Sequence, residues 1–230
     1  MQLNQSGEIS QEENYRITFD WMDLRTADIR FTLDQIQALN AGKAPSLLAG
    51  HIDETRIGLF GHSLGGAASA AVCRVDERCK AVAVIDSTMF GEYVREAQDG
   101  SLVKDPFPRP LMIFYNGDTY YATPDHQGYV PDLHAFDNAA APAYGIVVNG
   151  AQHLNFTDLP ARAPILARLL GSAMTVNGGT MGSLPQARCM EILDRYVVDF
   201  FNQTLLGQPA PLLSGETEFE EVDFSVHQAE

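Results

Sequence analysis

The sequence predicts an α/β fold, a parallel sheet with helices on its faces, and two observations carry that prediction. From about residue 55 onward, short β-rich apolar runs alternate with helical patterns, as strand–helix–strand units do. Two longer stretches place apolar residues at helical spacing and flank this core.

The expected strands are RIGLF at 56–60, KAVAVI at 80–85, PLMIFY at 110–115 and YGIVV at 144–148. GHSLGG and a small-residue helix, AASAAVCRV, follow the first. The second ends at Asp86, the third near Asp118, and the fourth leads through NGAQ to His153. Residues 26–39 form one flanking helix with Ile29, Leu33, Ile36 and Leu39 on one face. Residues 186–205 form the other, with Met190, Leu193, Val197, Phe201 and Leu205. Such stripes mark core packing. Tyr15, Ile17, Phe19 and Trp21 alternate with polar residues, which fits a half-buried strand or a loop entering the helix. The chain thus reads as a single domain over 1–230, with a leader of unassigned structure over 1–24 and an acidic tail over 207–230.

Composition narrows the partners. Of 230 residues, 45% are hydrophobic and 20% charged, as in an ordinary globular chain. The net charge of -15 repels phosphate backbones and anionic lipid, so nucleic acid is not an expected partner. No apolar run reaches the ~20 residues of a transmembrane helix, and MQLNQSGEISQE has neither the basic start nor the apolar stretch of a signal peptide. The compartment stays open, cytoplasmic or secreted from a longer precursor. The acids of 216–223 are expected at a solvated edge. Cys73, Cys79 and Cys189 make no zinc-ligand pattern; Cys73 and Cys79 are either paired or free buried thiols. Neither metal nor organic cofactor is expected.

Gly61-His62-Ser63-Leu64-Gly65 matches G-x-S-x-G between an apolar strand and an Ala-rich helix. That is the context in which a serine stands clear of a sheet on a sharp strand-to-helix turn. A serine hydroxyl needs a base to become a nucleophile. His153, after the last predicted strand, fits the chain order serine, acid, histidine. His51, His62, His126, His134 and His227 are expected to be surface or packing residues. Asp86 and Asp118 both end strands on the same rim, and spacing alone does not choose between them.

The segments DETRIGLFGHSLGGAA, KAVAVIDSTMFG and GAQHLNFTDLP resemble the platelet-activating-factor acetylhydrolases of the plasma type and their bacterial relatives, from about residue 25 to the C-terminus. The late helix ending in VVDFFNQTLLG resembles that family's closing helix. The resemblance implies an α/β-hydrolase fold and metal-free removal of short acyl groups from phospholipids and other esters. It also implies that Asp86, in IDSTMF, is the acid, with Asp118 the alternative. The site is then Ser63, Asp86 and His153, with the Leu64 N–H, directly after the nucleophile, as an oxyanion donor. Phe90 after the acid and Leu154 and Phe156 beside the base either line the acyl site or belong to the core.

The sequence departs from the family's pattern at its start. Only 62 residues precede Ser63, whereas family members place further strands there, including one whose following loop supplies an oxyanion amide. The fold is therefore expected to lack its N-terminal strands and to leave Arg56–Phe60 as an open apolar edge. A longer parent protein, an incomplete gene and a shortened member covered by self-association would each account for this. Losing one oxyanion donor typically costs ~10²–10³ in turnover. Two functions follow: a serine ester hydrolase acting on a small-molecule or lipid ester, or a weakly active or non-catalytic remnant serving as an interaction protein.

Overall fold

The computed structural model describes residues 10–228, except 98, 163–164, 166–180 and 216–217. Five strands form one sheet in the order β1-β2-β3-β4-β5. β1 (Ile57–His62), β2 (Cys79–Ile85), β3 (Leu111–Asn116) and β4 (Ala143–Val148) run parallel. Their C-terminal ends therefore share one rim, and that rim carries Ser63, Asp86, Asp118 and the approach to His153.

Side chains alternate across the sheet, as the strand period of two requires. Ala81, Ala83, Ile85, Met112, Phe114, Tyr144, Ile146 and Val148 lie on one face. Val82, Val84, Leu111, Ile113, Tyr115, Ala143 and Val147 lie on the other. Two further helices, α2 (Leu64–Val75) and α4 (Val130–Asp137), cover the second face with Ala70, Cys73 and Ala135. Between them in the chain lies α3 (Gly117–Ala122). A short α5 (Leu159–Arg162) precedes α6 (Gln186–Leu206), which covers the first face. The stripe of α6 is rotated one residue from the expected one. Cys189, Ile192, Leu193, Tyr196 and Phe200 are buried, while Met190, Val197, Phe201 and Leu205 pack at its margin. Cys73 and Cys79 are joined in a disulfide, with a Cα–Cα distance of 5.1 Å. Cys189 is a free buried thiol, and burial pushes its pKa up to about 12.

Two terminal segments differ from the sequence expectation. Tyr15, Ile17, Phe19 and Trp21 do not form a strand; they belong to α1, a 30-residue helix over Gln11–Asn40. Its start is a capping arrangement, S-x-x-E, in which Ser10 Oγ accepts from Glu13 N–H at 3.1 Å. The decisive spacing is Tyr15, Phe19 and Met22, all buried at i, i+4, i+7, while Ile17 is exposed. Met22 meets Ala67 and Ala68 of α2, whose small side chains let the two helices approach.

The acidic tail differs too. Val222–His227 form β5, antiparallel to β4 from Val148↔Val222 to Ala143↔His227. Val222 and Phe224 pack toward α6, next to buried Phe219. Two of the acids are paired with arginines of α6, Glu221 with Arg188 and Glu218 with Arg195. Asp223 accepts from Tyr121 Oη at 2.5 Å and Asn149 Nδ2 at 2.9 Å.

At the other edge, β1 is the outermost strand among the described residues, and Phe60 is 64% exposed beside Phe201 of α6. Among the described residues, no helix is long and apolar enough to cross a membrane.

Candidate active site

The site is built at the C-terminal rim, and its tightest turn is at Ser63. Ser63 joins β1 to α2 with φ 56 and ψ −133, in the left-handed half of backbone space. A non-glycine residue held there costs about 1–3 kcal/mol and persists only when its surroundings enforce it. They do: Ser63 N–H donates to Ile85 O at 2.8 Å, and Ser63 O accepts from Gly66 and Ala67 at 2.8 and 3.3 Å.

The glycines around the turn are not equivalent. A Cβ on Gly61 would stand 2.4 Å from the Gly65 backbone, and one on Gly66 would stand 2.7 Å from Gly61 O. A Cβ on Gly65 would meet nothing within 4 Å. The steric need therefore falls on Gly61 and Gly66, one of which lies outside the five-residue motif. Gly61→Ala is expected to destabilise by about 3 kcal/mol, lowering Tm by roughly 6–12 °C. Gly65→Ala, which adds helix propensity without a clash, should leave Tm unchanged or slightly higher. Thermal unfolding of the two variants checks this.

The acid and the imidazole meet at the same rim. His153 Nδ1 lies 2.6 Å from Asp86 Oδ2. Asp86 is itself at positive φ, 46, directly after β2. Its other oxygen, Oδ1, accepts from the backbone N–H of Asn116 at 3.0 Å and from Asn116 Nδ2 at 2.7 Å. The Asp86 side chain is 3% exposed and that of His153 19%, so their bond sits largely out of water.

Asp118 is placed differently. It lies in the first turn of α3, exposed, and accepts from Gln152 Nε2 at 3.1 Å.

His153 begins a single turn of 3₁₀ helix, His153–Phe156, closed by a reciprocal cap between Gln152 and Asn155. Asn155 is fully buried and holds this turn to a distant segment. Its Oδ1 accepts from Gln152 N–H at 3.0 Å and Gly182 N–H at 2.8 Å, and its Nδ2 donates to Leu184 O at 3.2 Å. Gln186 Nε2 donates to the carbonyls of Asn155 and Thr157, at 3.0 and 2.5 Å. Asn116, Asn155 and Gln186 went unnoticed in the sequence. The only available signal was their place next to a strand end or the histidine turn.

His62 is the larger surprise. Expected as a packing residue, it places Nε2 3.0 Å from the main-chain oxygen of His153, with the two rings 4.3 Å apart between centroids. Burial, then the neighbouring His153, lowers its pKa to about 4. The other histidines bond elsewhere: His126 to Tyr120 O, His134 to Val103 O and His227 to Ala139 O. His51 is exposed.

Leu64, the first residue of α2, is 44% exposed. As the first helical residue its N–H has no intrahelical acceptor, and it lies at the positive end of the helix dipole. Of the two alternatives for Phe90, Leu154 and Phe156, the packing is of the core kind. Phe90 lies against Met22 and Ala68, Phe156 lies 6.2 Å from the ring of Phe114, and Leu154 is buried.

Asp86, His153 and His62 also form the one metal-compatible cluster among the described residues, with ligand atoms within 4.8 Å of one another. Asp86 Oδ2 and His153 Nδ1 bond each other and His62 Nε2 bonds the His153 main chain, so one potential ligand atom of each residue is already engaged.

The comparisons agree with this fold. The family model for platelet-activating factor acetylhydrolase, isoform II, matches residues 7–209. A protein of Arthroderma benhamiae named as a probable 1-alkyl-2-acetylglycerophosphocholine esterase is 28% identical over 209 residues, covering 89% of this chain and 49% of that protein. Among solved structures, a ferulic acid esterase from Streptomyces cinnamoneus matches with a TM-score of 0.67 and 24% identity, over 97% of this chain and 58% of that one. The chain thus spans about half the length of the curated relative it matches, and its sheet is of the α/β-hydrolase type. With the family model covering most of its length, the chain belongs to the platelet-activating factor acetylhydrolase family, isoform II.

Proposed function

We propose that this chain hydrolyses carboxylic esters through an acyl-enzyme on Ser63. The observation that carries the reading is the 2.6 Å bond between His153 Nδ1 and Asp86 Oδ2, on the rim where Ser63 occupies its strained turn. In this scheme Ser63 Oγ attacks the ester carbonyl carbon while His153 Nε2 takes the hydroxyl proton. Asp86 keeps the other proton on Nδ1 and steadies the imidazolium that forms. The developing oxyanion is met by the Leu64 N–H and the dipole of α2. The alcohol leaves with the proton from His153, and water, deprotonated by the same base, then frees the acid and Ser63.

A short acyl group is the proposed substrate class, with acetyl esters of phospholipids foremost. Family membership supports this, as does the name of the Arthroderma relative. Hydrolysis of p-nitrophenyl acetate, butyrate and octanoate by the purified chain tests it. Turnover is expected to be fastest on acetate or butyrate; octanoate as the best substrate would overturn the short-acyl reading.

A second reading, a non-catalytic interaction protein, has one observation in its favour: the outer side of β1 pairs with no strand among the described residues. A second copy adding a strand at that edge would bury Phe60. Absence of turnover on all three esters would favour this reading.

A further inference from the structure

We propose that His62 is a positioning residue for His153, holding the main chain of the base by a hydrogen bond from its ring while Asp86 holds the side chain. The proposal rests on the esterase reading above and deepens it.

The topology creates the need. Ser63 follows β1 and His153 follows β4, and β2 and β3 lie between them. At about 4.8 Å per strand, that separation is roughly 14 Å. The imidazole must reach back across two strand ends to serve the hydroxyl. Asp86 fixes the Nδ1 end of the ring, and Asn155 and Gln186 anchor its turn to residues 182–186, but none of these bonds ties the turn to β1, which carries Ser63.

His62 supplies that tie, from the residue adjoining the nucleophile. Its Nε2 lies 3.0 Å from His153 O. A carbonyl oxygen only accepts, so His62 Nε2 must carry a proton and donate it. The rings lie 4.3 Å apart with an interplanar angle of 38°. Base and nucleophile are thereby tied through one peptide unit, and a shift in β1 carries both together.

The charge of His62 matters equally. Burial and then the neighbouring His153 oppose its protonation, Asp86 and the bond to the His153 main chain favour it, and the first two prevail and hold the pKa at about 4. At neutral pH the ring is uncharged. It can donate to the carbonyl without repelling the imidazolium that His153 becomes during each turnover.

The test compares His62→Phe, which keeps a ring and loses the donor, with His62→Gln, which can return an amide donor. With p-nitrophenyl acetate, His62→Phe is expected to lower kcat about 10–100-fold with KM within about twofold, the scale of a misplaced catalytic group. His62→Gln should recover most of that loss. Equal kcat for His62→Phe and the parent would overturn the proposal, and so would equal losses in the two variants.

Proton NMR supplies a readout independent of turnover. The downfield Nδ1 proton of His153, short-bonded to Asp86, should be present in the parent and His62→Gln and shifted or lost in His62→Phe. An unchanged resonance in a folded His62→Phe would count against the proposal. Turnover surviving in Ser63→Ala would instead strike the esterase reading itself, so the two failures are distinguishable.

Discussion

Ester hydrolysis by the Ser63→Ala chain is expected to fall by on the order of 10⁴–10⁶. In the proposed scheme the size follows from covalent catalysis. With no hydroxyl, the base pair of His153 and Asp86 has no nucleophile to activate, and only the Leu64 N–H remains to polarise a carbonyl. Stability should hardly change. Alanine inherits the φ of 56, and no hydrogen bond that fixes the turn uses the serine hydroxyl: Ser63 N–H, Ser63 O, Gly66 N–H and Ala67 N–H all belong to the backbone. Tm and kcat measured on the same preparation check the pair of expectations. A fall in activity with Tm unmoved belongs to the chemistry and not to folding.

Asp86→Asn should cost about 10⁴ in kcat with KM little altered, and the surroundings of Asp86 explain why the isostere cannot escape. Oδ1 accepts two N–H groups, from the backbone and side chain of Asn116. Asparagine must leave its oxygen there, since turning the amide would set its own NH₂ against two donors. Its nitrogen then faces His153 Nδ1 and donates to it. The imidazole is forced into the tautomer that carries its proton on Nε2, the atom required to accept the serine proton. Asp86→Asn combined with Asn116→Asp should not restore activity, because the backbone N–H of residue 116 still demands an acceptor. The pH–rate profile of Asp86→Asn checks the mechanism, with activity recovering only where hydroxide replaces the base.

Much of this arrangement was legible from residues alone, for physical reasons that differ by element. β2, β3 and β4 are buried on both faces, so KAVAVI, PLMIFY and YGIVV read as continuous apolar runs. The turn at Ser63 was legible because a strained strand-to-helix junction demands small residues at fixed offsets. Which glycines meet that demand was not, since the clash at Gly61 and the open space at Gly65 depend on how α2 folds back.

The termini misled through their polarity. Tyr15 and Phe19 fit both a period of two and a step of four, and only the contact with α2 decides between them. The acids around β5 read as a solvated tail because their arginine partners, Arg188 and Arg195, lie far away in the chain. His62 and Asn116 were invisible for a related cause. Their contacts span 91 and 30 residues of sequence, and neither leaves a local pattern. Asp86 and Asp118 looked alike as strand-end carboxylates; the structure gives one to His153 and the other to Gln152.

The decisive measurement is intact-mass spectrometry of the chain after exposure to a fluorophosphonate, with Ser63→Ala treated identically. An activated serine at this rim predicts one phosphonyl adduct per chain, mapped to the peptide bearing Ser63, and none on the variant. An unmodified parent chain, or equal modification of both, would contradict an acyl-enzyme at Ser63.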